Sequence, residues 1–345
     1  MATTISPFRT LPDDLLRRIL VGVPLDDHRA TASVCRAFRD VINGPKFLAL
    51  RQRYGFAERG IAFFRTTGTA VAPWHKLEIN IAGDAVSMSA TLLSARLGSA
   101  SATTDGGARL FVSTITETAN EISEVNASSR RVRRFATLPL GQDCYCMEWH
   151  GGCLYVAGGR SGPGPGTRNM NGVGCDVLDS FHVFKETTGS WEYLPSMPRV
   201  TQSAGSAVIG NQLFIVGGTD GTQQNGSAII LQIYDIAART WRLGAPLPHF
   251  YDGYTFAIDG KLVLVSRVPS CILVYDPQSD TWTRSEFPWD SRFETSSCAH
   301  NGRVVVFLSG GTAFERVSDG SWSPYAGAPA PTPRTYYMSQ SVVLG

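Results

Sequence analysis

The stretch Asn211–Gly218, NQLFIVGG, decides the fold. A hydrophobic strand running into a glycine pair opens either a nucleotide-binding loop or one unit of a repeat, and copies elsewhere in the chain separate the two readings. GGCLYVAGG (Gly151–Gly159) repeats the cassette, DGKLVLVSR (Asp259–Arg267) repeats it without the glycine pair, and NGRVVVFLSGG (Asn301–Gly311) restores it. GGARLFVSTI (Gly106–Ile115) is a weaker fifth copy. Each opens with a turn dipeptide of the kind that links two antiparallel strands tightly, so each cassette reads as the second strand of a hairpin. The glycine pair then marks a strand end where backbone crowding near a central channel leaves little room for side chains, and no nucleotide is needed to explain it.

Downstream of the cassettes a second element recurs: FHVFKETTGSWEYLPSMP, LQIYDIAARTWRLGAPLP and ILVYDPQSDTWTRSEFP each give a strand, a polar turn, a tryptophan and a proline-containing exit. Trp191, Trp241, Trp282 and Trp322 are spaced by 50, 41 and 40 residues. A period in the forties with four short strands per unit marks a β-propeller, whose sheets cover their apolar faces by packing on one another. The four tryptophans mark four blades, EISEVNASSRRVRRFATLP ends a fifth, and GIAFFRTTGTAVAPWHKLEI with Trp74 supplies parts of the first, which makes six. TYYMSQSVVLG is one strand left over, and residues 336–344 are expected to close the blade begun near Ile61.

Composition agrees. The chain has 345 residues, 43% of them hydrophobic, with 35 glycines and 19 prolines to supply turns. Thirty-one Lys and Arg stand against 29 Asp and Glu, a formal charge of +2, so no general attraction to nucleic acid or a membrane surface is expected. Seven cysteines in irregular spacing, no signal-peptide pattern and no long apolar run suggest a reduced, intracellular setting. The first 54 residues differ, with helical periodicity in LPDDLLRRILVGVPLDDHRATASVCRAFRDVI. Pro12 suits a first helical turn, Asp13 and Asp14 favour the positive end of the helix dipole, and Leu15, Leu16, Ile19 and Leu20 read as one apolar stripe that Pro24 ends. A second stripe runs through Val34, Ala37, Phe38, Val41 and Ile42. Some 45 residues make a small core, so these stripes are expected to need a partner surface, either the propeller or another chain.

The repeat units resemble the kelch family in LFIVGG … IYDIAARTW and LYVAGG … FHVFKETTGSW. The unit holding Trp282 lacks its glycine pair, and Phe135 stands where an earlier unit would have tryptophan. The N-terminal segment resembles an F-box in LPDDLLRRIL, VPLDD and SVCRAFRD, with Phe38 where tryptophan is usual and His28 in a slot often held by leucine. Together the resemblances imply a mainly β protein, a six-bladed kelch propeller over residues 56–345 preceded by a small helical F-box over residues 8–54. They further imply a substrate receptor of an SCF ubiquitin ligase, cytoplasmic or nuclear, non-catalytic and without a cofactor. Its F-box would dock a Skp1-type adaptor, and through it cullin, by Leu11, Pro12, Leu15, Leu16, Ile19, Leu20, Pro24, Val34, Cys35 and Phe38. Its propeller would bind an as yet unidentified protein to be ubiquitinated.

Other readings compete with this one. GGRSGPGPGTRN (Gly158–Asn169) is glycine-rich but lacks the Gly-Lys-Ser/Thr of a phosphate loop. Cys144, Cys146, His150 and Cys153 cluster without paired Cys-x-x-Cys spacing and read better as structural thiols. Some kelch propellers carry metal at the channel mouth, so a propeller scaffold or a metal-dependent propeller enzyme is the alternative. RRVRR (Arg130–Arg134) reads either as a solvated strand face or as an import signal, the first being favoured. Arg160 and Arg267 follow equivalent cassettes, so both should lead into loops on one propeller face and contribute to an electropositive substrate pocket. Arg199, Arg292 and Arg334 follow proline exits and are further candidates.

Overall fold

The turn dipeptides take the backbone that tight hairpins require. Gly151 and Gly152 have φ of 58° and 78°, and Asp259 and Gly260 have 50° and 73°, both residues positive, as a two-residue turn matched to strand twist demands. The computed structural model of the chain describes residues 12–23, 27–44, 46–56, 58–69, 72–81, 90–93, 102–107, 109–115, 120–126, 131–161, 176–222, 229–267, 269–287, 294–300, 302–308, 313–316, 320–325 and 336–344. Six four-stranded antiparallel sheets result. Blade 2 runs, inside to outside, through Ala102–Thr104, Arg109–Ile115, Asn120–Asn126 and Arg131–Thr137. Blade 3 has Cys146–His150, Cys153–Ala157, Phe181–Lys185 and Ser190–Tyr193, and blade 4 has Gly205–Ile209, Gln212–Val216, Leu231–Asp235 and Thr240–Leu243. Blade 5 has Gly253–Ile258, Lys261–Ser266, Cys271–Asp276 and Thr281–Glu286, and blade 6 has Glu294–His300, Arg303–Leu308, Ala313–Arg316 and Trp322–Pro324.

Blade 1 is assembled differently. Its order is Tyr336–Leu344, Glu58–Thr69, Ala72–Ile81 and Ala90–Leu93, so the last strand of the chain lies innermost beside the first. Their register runs from Glu58 opposite Leu344 to Arg65 opposite Tyr336, with a bulge at Phe64/Arg65. Innermost strands are neighbours in sequence around the ring, and Tyr336–Leu344 touches both Glu294–His300 and Ala102–Thr104. The ring is closed by that strand.

Between blades 3, 4 and 5 the core is continuous apolar packing. Tyr155, Ala157, Phe181 and Val183 of blade 3 meet Leu213, Ile215 and Tyr234 of blade 4, while Phe214, Leu231 and Ile233 of blade 4 meet Leu262, Leu264, Leu273 and Tyr275 of blade 5. The recurring tryptophans fasten this packing. Trp191 Nε1 donates to Thr137 O, Trp241 Nε1 to Pro195 O and Trp282 Nε1 to Ala245 O, each at 2.8 Å and each reaching the exit of the preceding blade. Phe135 in blade 2 substitutes aromatic packing, lying against Phe111, Trp149 and Phe184. Arg131–Arg134 of RRVRR lie on the outer strand of blade 2, where Arg133 pairs with Glu124 at 2.6 Å and Arg134 with Glu121 at 3.3 Å across the ladder, and Arg130 is outside the described residues. This is the solvated strand face.

The N-terminal unit is four short helices: α1 (Asp13–Val21), α2 (His28–Val34), α3 (Arg36–Ile42) and α4 (Phe47–Arg53). Cys35 is extended, at φ −157° and ψ 168°, and divides what the periodicity presents as one helical stripe. Leu16, Leu20 and Val21 of α1 pack on Phe38 of α3 and Phe47 of α4, a core of its own. The expectation that both stripes await an outside partner is therefore corrected for their inner halves, because α4 supplies the missing wall. Arg51 of α4 is buried, and its guanidinium donates to the carbonyls of Val21 (2.8 Å), Val23 and Phe56. A cation at the carbonyl end of α1 offsets the helix dipole there.

Candidate functional site

In an up-and-down blade the hairpin turns lie on one face of the ring, and the loops joining second to third strands and successive blades lie on the other. The glycine pairs sit on that second face and bring its loops together. Gly158 and Gly159 have φ of 66° and 96°, and a Cβ on them would meet Thr201 O at 2.4 Å and Asp143 O at 2.5 Å. Crowding thus comes from two loops, the one entering blade 4 against Gly158 and the one entering blade 3 itself against Gly159, and only glycine satisfies both the backbone angle and the contact. Gln142 Nε2 donates to Gly158 O at 2.9 Å, and Thr201 Oγ1 does the same for Gly217 O at 3.0 Å one blade on.

Immediately beyond these contacts lie the arginines singled out from sequence. Arg160 pairs in register with Asp143, Thr219 with Gln202, and Arg267 N donates to Asp252 O at 2.7 Å, so three successive blades tie their loops at the same place. In two of them the side chains add a second tie: Arg160 Nε to Asp143 Oδ1 at 2.7 Å with Nη2 to Oδ2 at 3.3 Å, and Arg267 Nη2 to Asp252 Oδ1 at 2.7 Å. The expected electropositive pocket is corrected here. Each of these cations is matched by an aspartate, and its first use is to hold two loops. Arg199 is different: its side chain is exposed and makes no ion pair with a described residue, while its backbone N and O are both held by the Gln232 amide at 2.9 and 3.2 Å. Arg292 and Arg334 lie outside the described residues.

On the helical unit the structure separates the expected docking residues into two sets. Leu16, Leu20 and Phe38 are buried and belong to the core, and Cys35 is half-buried against it. Leu15, Ile19 and Val34 are 42%, 54% and 62% exposed. The first two stand one helical turn apart on α1, so they share a face. Pro12 is exposed ahead of α1, and Leu11 and Pro24 lie outside the described residues.

A family model of the F-box domain matches residues 8–50, and one of the Kelch motif matches residues 144–198 and 201–248. The chain carries an F-box followed by kelch repeats. An F-box/kelch-repeat protein of Arabidopsis thaliana is 22% identical, spanning 86% of this chain and 84% of its own length. Kelch-like protein 23 of Mus musculus is 22% identical across 50% of this chain and 28% of its own, and a second F-box/kelch-repeat protein of Arabidopsis thaliana is 28% identical across 33% and 30%. In those two this chain spans about a third of the relative or less.

Two features of the kelch ring escape a reading of the sequence alone. The first is Glu148 on the innermost strand of blade 3, whose carboxylate accepts from Ser206 Oγ of blade 4 at 2.7 Å and Thr103 Oγ1 of blade 2 at 3.3 Å. Desolvation between the blades pushes its carboxyl up to about 7, against the two hydrogen bonds; burial, with the Glu148 charge adding to it, pushes the Cys146 thiol up to about 12. Nothing in CMEWH announces this, because both partners come from other blades. The second is a set of exposed apolar residues on the loop face, Val200 (37%), Ile229 (46%) and Phe250 (40%). Among the described residues no group of three or more His, Cys, Asp or Glu stands close enough to hold a metal ion.

Proposed function

We propose that this chain is the substrate-recognition subunit of an SCF-type ubiquitin ligase, acting in the cytoplasm or nucleus. Residues 8–54 dock a Skp1-type adaptor and through it cullin, and residues 56–345 present a protein substrate for ubiquitination and degradation. The observation that carries the reading is the division of the F-box: Leu16, Leu20 and Phe38 build its core, which leaves Leu15, Ile19 and Val34 as large aliphatic side chains facing outward. Exposed apolar groups on a unit that already has a core are what an obligate partner would cover. A relative named as an F-box/kelch-repeat protein, matched at 22% identity along 84% of its length, supports the pairing of the two parts. In this role the chain makes and breaks no bonds, and its contribution is to raise the local concentration of substrate beside the loaded enzyme. The six described cysteines are unbridged, which suits either reducing compartment.

The test is a binding titration of purified Skp1 against the full chain and its L15E and I19E variants. Both positions are exposed, so the variants fold. Adaptor affinity is expected to fall about thirtyfold or more for each, as for a central interface anchor. Unchanged affinity, or no binding by the parent chain, overturns the docking role.

A further inference from the structure

The loop face of blade 4 carries three exposed apolar side chains on loops that hydrogen bonds tie to one another. Thr201 Oγ1 donates to Gly217 O at 3.0 Å and Gly217 N donates to Ile230 O at 2.9 Å, which brings Val200 alongside Ile229. Leu247 N donates to Ile229 O at 3.0 Å, which brings the loop carrying Phe250 to the other side. That loop is fixed: the imidazole of His249 contacts Phe250 O through Nδ1 at 2.8 Å and Cys271 Sγ through Nε2 at 3.6 Å, and Tyr251 and Leu247 on either side are buried. Beside Val200 stands Arg199, exposed, its backbone clamped by Gln232 and its guanidinium in no ion pair with a described carboxylate. Around the rest of the described rim the arginines are neutralised by Asp143 and Asp252. Apolar surface and unmatched positive charge therefore coincide at one blade.

We propose that Val200, Ile229 and Phe250 form a pre-set docking patch for an extended peptide segment that carries two or more large apolar side chains followed or preceded by a carboxylate, the carboxylate being read by Arg199. This rests on the receptor reading above and names the substrate class it would capture. The chemistry points to an apolar segment with an acidic flank. A purely acidic one would find its arginines engaged at Asp143 and Asp252, whereas the apolar anchors are exposed and rigidly mounted, so little ordering is lost on contact. Charge-assisted bonding to Arg199 fixes the segment's register.

The experiment is selection of a random twelve-residue phage-displayed library on the full chain, with F250E, I229E and R199E in parallel. Wild type is expected to enrich sequences pairing Leu, Ile, Phe or Trp with Asp or Glu. Those clones should lose about tenfold or more in retention on F250E and I229E, as for loss of a buried anchor, and R199E should enrich Lys or Arg in the flank instead. Melting temperatures of the variants are compared with wild type, and adaptor binding is followed for each. Failure of the receptor reading shows as absent adaptor binding, whatever the peptides do. The patch is overturned if wild type enriches nothing, if the enriched clones persist on F250E and I229E, or if the flank preference ignores R199E. Sedimentation gives the other occupant: a wild-type dimer that F250E turns into a monomer makes the patch a contact between copies and overturns the peptide assignment.

Discussion

Glu148 shows how one residue can couple three blades. Its carboxyl is raised from an ordinary 4.5 to about 7 chiefly by desolvation, with Ser206 and Thr103 opposing. The described groups around it are Tyr155, its cross-strand neighbour, Cys146 on its own strand, and the uncharged Thr103 and Ser206. Because the folded state holds the proton more tightly than the unfolded chain, stability is fully present below about 4.5 and is lost as pH rises toward about 7. Some of the side chain keeps accessible surface, so the loss is on the order of 1–3 kcal/mol. Melting temperature against pH is expected to fall across that window for the parent chain and to stay flatter for Glu148→Gln; parallel curves would refute the coupling. At this scale sequence informs unevenly. Gly158 and Gly159 were legible because a positive φ and a close contact leave one residue type. The partner of Arg160 was hidden, since Asp143 lies in another loop and nothing local marks it as paired.

Among elements, the strand carrying tryptophan does the most to join blades. Each indole donates to a carbonyl at the end of the outer strand of the blade before it or just past it, so these blades are fastened at their rims as well as by the apolar seams. Trp241→Phe keeps the ring packed against Phe181 and Tyr234 and removes the donor to Pro195 O. Such a variant should be less stable by about 1 kcal/mol in denaturant titration, the net worth of a partly exposed hydrogen bond; an unchanged midpoint would mean the carbonyl is satisfied equally by water. The repeating tryptophans made these elements legible from spacing alone. Helix α1 was legible as a helix but not in which half of its stripe faces inward, because Leu15 and Leu16 are equally apolar and only the positions of Phe38 and Phe47 decide. α4 went unread, and with it the wall that completes the small core.

For the whole molecule the decisive feature is closure. With Tyr336–Leu344 innermost in blade 1, Glu58–Thr69 is paired on both sides and the innermost strands touch one another all round the ring. Deleting residues 336–344 is expected to lower the melting temperature of the entire ring and to speed amide exchange in Glu58–Thr69, which would lose its partner. Faster exchange confined to a terminus, with unchanged melting, would refute this. Six blades could be counted in the sequence because a period survives even where single motifs decay, as in the blade of Trp282. The loop-face patch could not be seen there: Val200, Ile229 and Phe250 come from three separate loops, and only the folded ring makes them neighbours.

The same closure sets an order of events during synthesis. Glu58–Thr69 leaves the ribosome well before Tyr336–Leu344, and at roughly 5–20 residues per second the interval is on the order of tens of seconds. Throughout it the F-box, which is complete once α4 and the Phe56 carbonyl held by Arg51 have emerged, has all its parts, while blade 1 stands with an unpaired edge. A chain cut short by a late stop codon would therefore keep a complete F-box and lose the closed ring. Under the proposed receptor role such a fragment would occupy adaptor without delivering substrate, and loss of the last strand would act as a dominant lesion instead of a silent one.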